Sequence, residues 1–118
     1  DTPIGEALLD QRLMTGVGNE YRSEICFLRG VHPATPVADV QVAPMVDLSR
    51  RLLWANKDRT VRVTTGNTST NARLWVYGRD RKPCRRCRTP IVRTMLGPLD
   101  QVRSIYFCPT CQPISQTG

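Results

Sequence analysis

The sequence predicts a mainly α fold, in which a small helical domain is followed by a β-hairpin built around four cysteines. Two observations lead to this class. Apolar residues recur at helical spacing in three segments of the first 56 residues, and two Cys-x-x-Cys pairs flank two short β-prone runs. The expected divisions are residues 1–63 for the helical domain, 64–73 for a flexible loop, 74–112 for the hairpin with its lead-in, and 113–118 for a frayed tail.

The first two helices are expected on either side of a glycine-rich break. Thr2 and Pro3 suit the N-cap and the first position of a helix. The segment GVGN, at residues 16–19, interrupts the helical pattern, and the second helix runs from there to Gly30, a natural stop. The face that is expected to point inward consists of Tyr21, Ile25 and Leu28.

A third helix is expected after a proline-containing connector at residues 31–44. Its apolar residues also recur at helical spacing, which is typical of a hydrophobic core and not of a ligand site. The expected stripe consists of Met45, Leu48, Leu52 and Ala55, with Val46 and Leu53 beside it. Cys26, which stands among apolar neighbours on the second helix, is expected to be a buried and inert thiol.

The second half of the sequence alternates loops with short β-prone runs. Residues 64–73 contain no large apolar side chain and are expected to form a mobile loop. The run LWVYG, at residues 74–78, is expected to be either a short strand or a packing anchor. The runs IVRTML and SIYF are expected to pair as strands, and Gly97 and Pro98 help the chain to turn between them.

The paired cysteines predict a single structural zinc site. Each pair can present two thiolates from one turn, and the twenty residues between Cys87 and Cys108 allow a hairpin to bring both pairs together. Two disulfides are the alternative, and the odd fifth cysteine argues against them. The predicted ligands of one Zn²⁺ are Cys84, Cys87, Cys108 and Cys111. Metal binding contributes on the order of 10 kcal/mol to such a unit, so chelation is expected to unfold it.

Positive charge is concentrated towards the C-terminal end. Residues 79–118 contain eight Lys or Arg and two Asp or Glu, a net of +6, whereas residues 1–78 contain nine and eight, a net of +1. This asymmetry indicates a polyanionic partner, with nucleic acid as the first candidate, and a solvated face that only aids solubility is the alternative. Fifteen of the seventeen basic residues are arginine, which suits bidentate contact with phosphate. No run of about 18 apolar residues occurs, so no membrane partner is expected.

Two stretches resemble the C-terminal half of the formamidopyrimidine-DNA glycosylase and endonuclease VIII family, with the endonuclease VIII branch favoured. They are LLDQRLMTGVGNEYRSEICFLRGVHPATP, at residues 8–36, and VYGRDRKPCRRCRTPI…RSIYFCPTCQ, at residues 76–112. The resemblance implies that residues 1–63 form a helix-two-turn-helix DNA-binding domain and residues 74–112 a zinc finger. It further implies a bifunctional DNA glycosylase and AP lyase that removes oxidised bases in base excision repair. The implied partner is double-stranded DNA, damaged or abasic, and the implied setting is a monomer in the bacterial cytoplasm, at the nucleoid.

Matches to the family motifs predict four DNA-binding residues. Asn19 follows the glycine turn at a helix start, and the resemblance gives it a phosphate contact beside the lesion; a helix cap without a ligand is the alternative. Gly18 allows the sharp backbone turn before it. Arg103, five residues before Cys108, matches the arginine with which the family's zinc finger grips a phosphate, and a solvent-facing arginine is the alternative. Arg12 is expected to make a secondary phosphate contact.

Other residues are expected in supporting roles. Diffuse electrostatic attraction is expected from Arg85, Arg86 and Arg88. Gln11 and Glu24 match frequent family residues and are expected to brace the two helices through hydrogen bonds. His32, the single histidine, is expected to make a structural hydrogen bond and not to bind metal. The loop at residues 64–73 lies where some relatives carry a lesion-covering loop.

No catalytic residue is predicted in this sequence. The family's reaction requires an N-terminal proline amine followed by a glutamate, whereas the sequence opens DTPIGE and Pro3 is internal. We therefore expect the chain alone to bind DNA without releasing bases, as the DNA-binding part of a longer enzyme. Two alternatives stay open: a catalytically silent nucleic-acid-binding module, with RNA not excluded as its target, and a zinc ribbon that mediates protein contacts. The net charge of +6 in residues 79–118 argues against the second.

Overall fold

The computed structural model describes residues 2–7, 19–58, 63–67, 72–97 and 103–113. The helices among these residues are α1 (Ile4–Ala7), α2 (Asn19–Arg29) and α3 (Val42–Ala55), with one 3-10 turn at Val37–Asp39. The strands are β1 (Val92–Leu96) and β2 (Arg103–Phe107). Three helices and a hairpin that follows them agree in outline with the expected architecture.

α2 is the central element, and it is buried on nearly every side. Residues 21–27 are all buried, which is unusual for a helix near a protein surface. One side of α2 joins a core that consists of Ile4, Tyr21, Ile25, Cys26 and Met45. The opposite side joins a second core that consists of Phe27, Val76, Cys84, Ile91 and Cys108. α2 therefore connects the helical part of the chain to the hairpin.

The C-terminus of α2 forms a Schellman motif around Gly30. Gly30 has a φ of +67°, in the left-handed region that glycine adopts most readily. Its N–H donates to Phe27 O at 3.0 Å, and the next N–H, of Val31, donates to Cys26 O at 2.9 Å. These two bonds satisfy main-chain carbonyls that the end of the helix would otherwise leave open. The predicted stop at Gly30 is confirmed.

α3 packs one face on the helical core. Met45 is buried and the leucines of the predicted stripe are half-buried against that core, as expected. The placement of Ala55 in the stripe is wrong, because Ala55 is exposed where the helix ends. Asn56, the residue after the helix, turns inward instead and is 7% exposed. Its side-chain nitrogen donates to Leu52 O at 2.8 Å and to Val63 O at 2.9 Å, which joins the helix end to residues 63–67.

The hairpin is antiparallel, and its register runs from Val92 opposite Phe107 to Leu96 opposite Arg103. β2 is the inner strand, since Ile105 and Phe107 are buried, whereas residues 92–95 of β1 are exposed. Gly97, at the end of β1, has a φ of +149° that favours glycine. The rest of the predicted turn, from Pro98 onwards, lies outside the described residues.

The segment at residues 74–78 forms a packing anchor and not a strand. Val76 is fully buried, and Trp75 stacks on Phe27 with ring centroids 5.4 Å apart. Tyr77 meets the ring of Tyr106 edge-on at 5.1 Å. The segment therefore packs on both α2 and β2, and of the two sequence alternatives the packing anchor is confirmed.

The base of the loop at residues 64–73 is held by hydrogen bonds. The N–H groups of Thr64 and Thr65 both donate to Arg73 O, at 2.8 and 3.3 Å. Residues 68–71 lie outside the described residues, so the mobility of the loop stays a prediction.

At the other end of the described chain, Gln112 is fully buried. It accepts from Cys108 N at 2.8 Å and donates to Val31 O at 2.9 Å, while most of the expected tail lies outside the described residues.

No helix within the described residues combines the length and the apolar character that a membrane crossing requires.

Candidate metal centre and nucleic-acid interface

The four paired cysteines converge at the base of the hairpin. Their sulfur atoms all lie within 4.8 Å of one another. Two contacts run between the pairs, with Cys84 Sγ 3.9 Å from Cys111 Sγ and Cys87 Sγ 3.4 Å from Cys108 Sγ. Tetrahedral zinc, with Zn–S distances of about 2.3 Å, requires sulfur atoms roughly 3.8 Å apart. The cluster therefore fits one four-coordinate soft metal ion, and all of its cysteines are free of disulfides.

Main-chain N–H groups point at the sulfur atoms of the cluster. Arg86 N lies 3.4 Å from Cys84 Sγ, and Cys111 N lies 3.4 Å from Cys108 Sγ. Such contacts stabilise the thiolate charge that a metal requires. The first turn is closed by Arg88, whose N–H donates to Cys84 O at 2.9 Å and whose φ is +71°. Main-chain N–H groups of the two turns thus fix the positions of the sulfur atoms. These turns are local structures that the Cys-x-x-Cys spacing implies, which is why the spacing predicts a metal site.

The cysteines of the cluster differ in pKa. A hydrogen bond with the Thr89 hydroxyl lowers the pKa of Cys87 to about 6. Burial raises the pKa of Cys111 to about 12 and also raises that of Cys108. Because metal ligation takes thiolates, metal binding must release protons from these groups. Cys26 lies outside the cluster, and its complete burial raises its pKa to about 12, which confirms the expected buried thiol.

Two arginines beside the cluster make defined contacts within the protein. The Arg86 guanidinium lies over two rings, 4.8 Å from the centroid of Phe27 and 4.9 Å from that of Trp75. Arg85 Nε donates to Leu74 O at 2.9 Å. The first turn of the metal cluster is therefore fastened to α2 and to the packing anchor. These contacts go beyond the diffuse attraction that the sequence predicts for both residues.

Two of the four predicted DNA-binding residues, Asn19 and Arg103, lie in the part of the chain that the structure describes. Asn19 is the first residue of α2, although its side chain, Gly18 and Arg12 lie outside what the structure describes. Arg103 is the exposed first residue of β2. One helical turn after Asn19, Arg22 donates through Nη2 to Arg103 O at 2.9 Å. The start of α2 and the start of β2 are thus held next to each other.

Arg22 is a buried residue that sequence reasoning missed. Its side chain is fully buried, and burial lowers the pKa of its guanidinium to about 10, so it stays charged at neutral pH. Nη1 donates to Gly5 O at 3.0 Å, and Nη2 donates to Ser104 O at 3.2 Å as well as to Arg103 O. One side chain thus connects α1, α2 and β2. These three partners are main-chain carbonyls, which leave no pattern in the sequence.

Glu24 is a fully buried carboxylate that binds both the start of the loop at residues 64–73 and the packing anchor that follows it. Oε1 accepts from the Thr64 hydroxyl and from Trp75 N at 2.7 Å. Oε2 accepts from Val76 N at 2.8 Å and from Tyr77 N at 2.9 Å. The expectation that Glu24 braces two helices is wrong in its partners, since these bonds join α2 to the packing anchor and to the loop. Gln11, with the same expected role, lies outside the described residues.

His32 has the structural role that the sequence predicts. Its Nδ1 accepts a hydrogen bond from Ala34 N at 3.0 Å. The imidazole ring also lies 4.5 Å, centroid to centroid, from the ring of Phe107 at the end of β2. Partial burial lowers the pKa of the imidazole below its usual 6.5, which favours the neutral form that can accept this bond.

Comparison with known proteins gives a consistent result. The family model described as "Formamidopyrimidine-DNA glycosylase H2TH domain" matches residues 1–72. The chain is 46% identical over 116 residues to a DNA-(apurinic or apyrimidinic site) lyase Nei2 of Mycolicibacterium smegmatis, and it covers 44% of that protein. It is 48% identical over 113 residues to an Endonuclease 8 2 of Mycobacterium tuberculosis, and it covers 43% of that protein. These matches take in 98% and 95% of this chain, which spans less than half the length of either relative.

Solved structures show the same fold. A formamidopyrimidine-DNA glycosylase of Lactococcus lactis in complex with DNA that contains an abasic site has a TM-score of 0.75 and 26% identity, over 95% of this chain and 43% of that one. The MutM (Fpg) protein of Thermus thermophilus has a TM-score of 0.77 and 28% identity, over 98% of this chain and 46% of that one. The packing of the three helices and the cysteine hairpin is therefore shared with proteins of this kind.

Proposed function

This chain belongs to the formamidopyrimidine-DNA glycosylase H2TH family, and on that premise we propose that it is the DNA-binding part of a bifunctional DNA glycosylase and AP lyase. The whole enzyme would remove oxidised bases in base excision repair. The endonuclease VIII branch is favoured, because a relative named for it is 48% identical, whereas a formamidopyrimidine-DNA glycosylase of Gloeobacter violaceus is 41% identical. The activity is a proposal, since the chain spans only about two fifths of such relatives.

The observation that carries the proposal is the contact between Arg22 and Arg103 O. It holds the exposed start of β2 against Arg22, which lies one helical turn after Asn19 on α2. A helix N-terminus offers main-chain N–H groups and a positive dipole end to a phosphate, and a guanidinium binds phosphate with two hydrogen bonds. We propose that Asn19 and Arg103 together form the main phosphate-binding surface. Gly18 and Arg12 are proposed to support it through the backbone turn and a further phosphate contact.

We further propose that Cys84, Cys87, Cys108 and Cys111 hold one structural Zn²⁺. The support is the set of four sulfur atoms within 4.8 Å, because four thiolates are a closed tetrahedral donor set with no position for substrate. When bound, the ion supplies a rigid cross-link between the two turns at the base of the hairpin. Because β2 ends directly before Cys108, these turns also fix β2, which carries Arg103.

The proposed partner is double-stranded DNA that carries an abasic site or a damaged base, bound by a monomer. The support is the Lactococcus lactis protein, whose structure contains abasic DNA and whose fold covers 95% of this chain. A duplex that has lost a base bends more easily than an intact one, so a surface that grips adjacent phosphates gains contacts on it.

The direct test is binding of the zinc-loaded chain to two short duplexes, one intact and one with a stable abasic-site analogue. We expect tighter binding to the abasic duplex and its loss on chelation. Arg103→Gln is expected to weaken binding about tenfold and to reduce the salt dependence by about one phosphate contact. The matched control is Arg51→Gln, which removes the same charge from the exposed face of α3, where Arg51 pairs with Asp47. No binding to either duplex would refute the proposal.

A further inference from the structure

A second basic surface lies on the lead-in to the cysteine cluster. A pocket of about 280 Å³ opens there, and four cationic side chains line it: Arg73, Arg79, Lys82 and Arg85. The rest of its wall comes from uncharged residues of the packing anchor. None of the described residues that line the pocket is acidic. We call this feature the basic pocket.

Two of the four cations of the basic pocket, Arg79 and Arg85, are held in place by hydrogen bonds to main-chain carbonyls. Arg79 Nη1 donates to Trp75 O at 2.9 Å, and Arg79 Nη2 donates to Pro83 O at 2.9 Å. Arg85 Nε donates to Leu74 O at 2.9 Å. The main chain beneath them is fixed in turn, because three consecutive N–H groups of this segment donate to the buried carboxylate of Glu24. Side chains that are already ordered lose little entropy when a ligand binds.

Like charges stand close together in the basic pocket. The pKa of Arg79 is lowered, first by burial and next by the charge of Arg85, so the two guanidiniums disfavour each other. Three acids, Glu20, Glu24 and Asp80, lie near these cations, and none of them lines the basic pocket. Glu20 pairs with Arg73 at 3.5 Å, and Glu24 accepts its bonds from the main chain and Thr64. Asp80 is adjacent to Arg79 in sequence but does not line the pocket. An anion between the cations would relieve their repulsion.

We propose that the basic pocket binds a phosphate group of the DNA backbone, as a second anchor beside Asn19 and Arg103. This inference rests on the proposed DNA-binding function. Its position supports the assignment, because Arg73 pairs with Glu20 in the first turn of α2, next to Asn19. Glu20 directly follows Asn19, so this ion pair links the basic pocket to the first turn of α2. A phosphodiester suits the basic pocket, because a guanidinium that is held in place can donate two parallel hydrogen bonds to two phosphate oxygens.

The test compares the two lysines of the chain. Lys82 lines the basic pocket and is exposed, whereas Lys57 lies over the ring of Trp54 at 3.8 Å. Lys82→Gln and Lys57→Gln each remove one charge, and the affinity of the zinc-loaded chain for the abasic duplex is measured at several salt concentrations. We expect Lys82→Gln to weaken binding about fivefold and to reduce the slope of log affinity against log salt by about 0.9. Lys57→Gln is expected to leave affinity within about twofold and the slope unchanged.

The outcomes separate this inference from the function on which it rests. If the wild-type chain binds neither duplex, the proposed function and the inference both fail. If Arg103→Gln weakens binding but Lys82→Gln behaves like Lys57→Gln, the inference alone is overturned. A second arm titrates inorganic phosphate at constant ionic strength and follows the amide resonance of Gly78, whose residue lines the basic pocket. A shift of Gly78 without any effect of Lys82→Gln on the duplex would identify a free-anion site and overturn the assignment to DNA.

Discussion

The hairpin is held at two regions by opposite chemistry. At its base, the cysteine cluster gathers four soft side chains that suit a metal ion. Along α2, Arg22 and Glu24 are buried charges that bind main-chain groups of other segments, and we call these contacts the α2 seam. The cluster orders the hairpin internally, whereas the α2 seam places the hairpin relative to the start of α2. The stability of the hairpin and its position relative to α2 therefore depend on different residues.

Of the changes considered, removal of the metal is expected to destabilise the hairpin most. Chelation should unfold the base of the hairpin, because structural zinc contributes on the order of 10 kcal/mol to such units. Trp75, which stacks on Phe27 beside the cluster, is a suitable probe. We expect its fluorescence to change in a Trp54→Phe background, which removes the exposed second tryptophan.

The control for metal removal is Cys87→Ser, in which chelation should cause little further change. A fluorescence signal and an unfolding midpoint that both stay constant on chelation of the wild-type chain would contradict a structural metal. α2 should keep more of its order than the hairpin, because its other side packs in the helical core with Ile4 and Met45.

Loss of the Glu24 carboxylate is expected to have the next largest effect. Glu24→Ala leaves several buried donors without a partner, and we expect a loss of about 3–5 kcal/mol of unfolding free energy. Glu20→Gln is the matched control, since its partly exposed pair with Arg73 should be worth no more than about 1 kcal/mol. Urea unfolding of both variants measures the difference. Similar losses in the two variants would show that the α2 seam does not depend on this buried carboxylate.

A side chain at Gly5 is expected to have a smaller effect at the other end of the hairpin. A Cβ atom there would lie 2.7 Å from Leu96 Cδ2 and 2.8 Å from Ile105 Cδ1. Both contacts are with flexible side-chain ends, so Gly5→Ala is expected to cost about 1–3 kcal/mol. The cost should fall in a Leu96→Ala background, because the closest contact is then gone. Equal costs in the two backgrounds, by thermal or urea unfolding, would exclude this close packing of α1 on the hairpin.

Protonation of His32 is expected to have the smallest effect. The folded chain holds the pKa of His32 below 6.5 through partial burial, so the unfolded chain binds a proton more readily. The contribution of neutral His32 is therefore complete above pH 6.5 and is lost as the pH falls through the lowered folded value. Protonation at Nδ1 also removes the acceptor of the Ala34 bond. The difference in unfolding free energy between wild type and His32→Gln should shrink from pH 7.5 to pH 5, and a constant difference would contradict this.

The cysteine cluster could be predicted from the sequence because its ligands are one residue type at fixed spacing. The turns around Cys84 and Cys108 present sulfur through local geometry that the Cys-x-x-Cys spacing already implies. Tyr21, Ile25 and Gly30 were predictable for a similar reason, since helical periodicity and a left-handed stop are local patterns.

The α2 seam could not be predicted in this way. Arg22 and Glu24 interrupt the apolar pattern of a helix that is buried all round, so each looks like a solvent-facing residue. Their partners are main-chain groups far away in sequence, up to 82 residues for the bond from Arg22 to Ser104 O, and any residue type can supply these groups. The choice between strand and anchor for residues 74–78 was open for the same reason. It depends on Trp75 packing against Phe27, which is a tertiary contact.

The DNA affinity of a chain that is altered only at a buried residue tests most directly whether the α2 seam positions the DNA-binding surface. Arg22 is fully buried, and its bonds hold the start of β2, which carries Arg103, against α2 three residues after Asn19. We predict that zinc-loaded, folded Arg22→Met binds the abasic duplex about tenfold more weakly than wild type, with a salt slope reduced by about one phosphate contact, while the exposed control Arg29→Met binds as wild type does. A folded Arg22→Met chain with wild-type affinity and salt slope would show that the α2 seam does not position the DNA-binding surface.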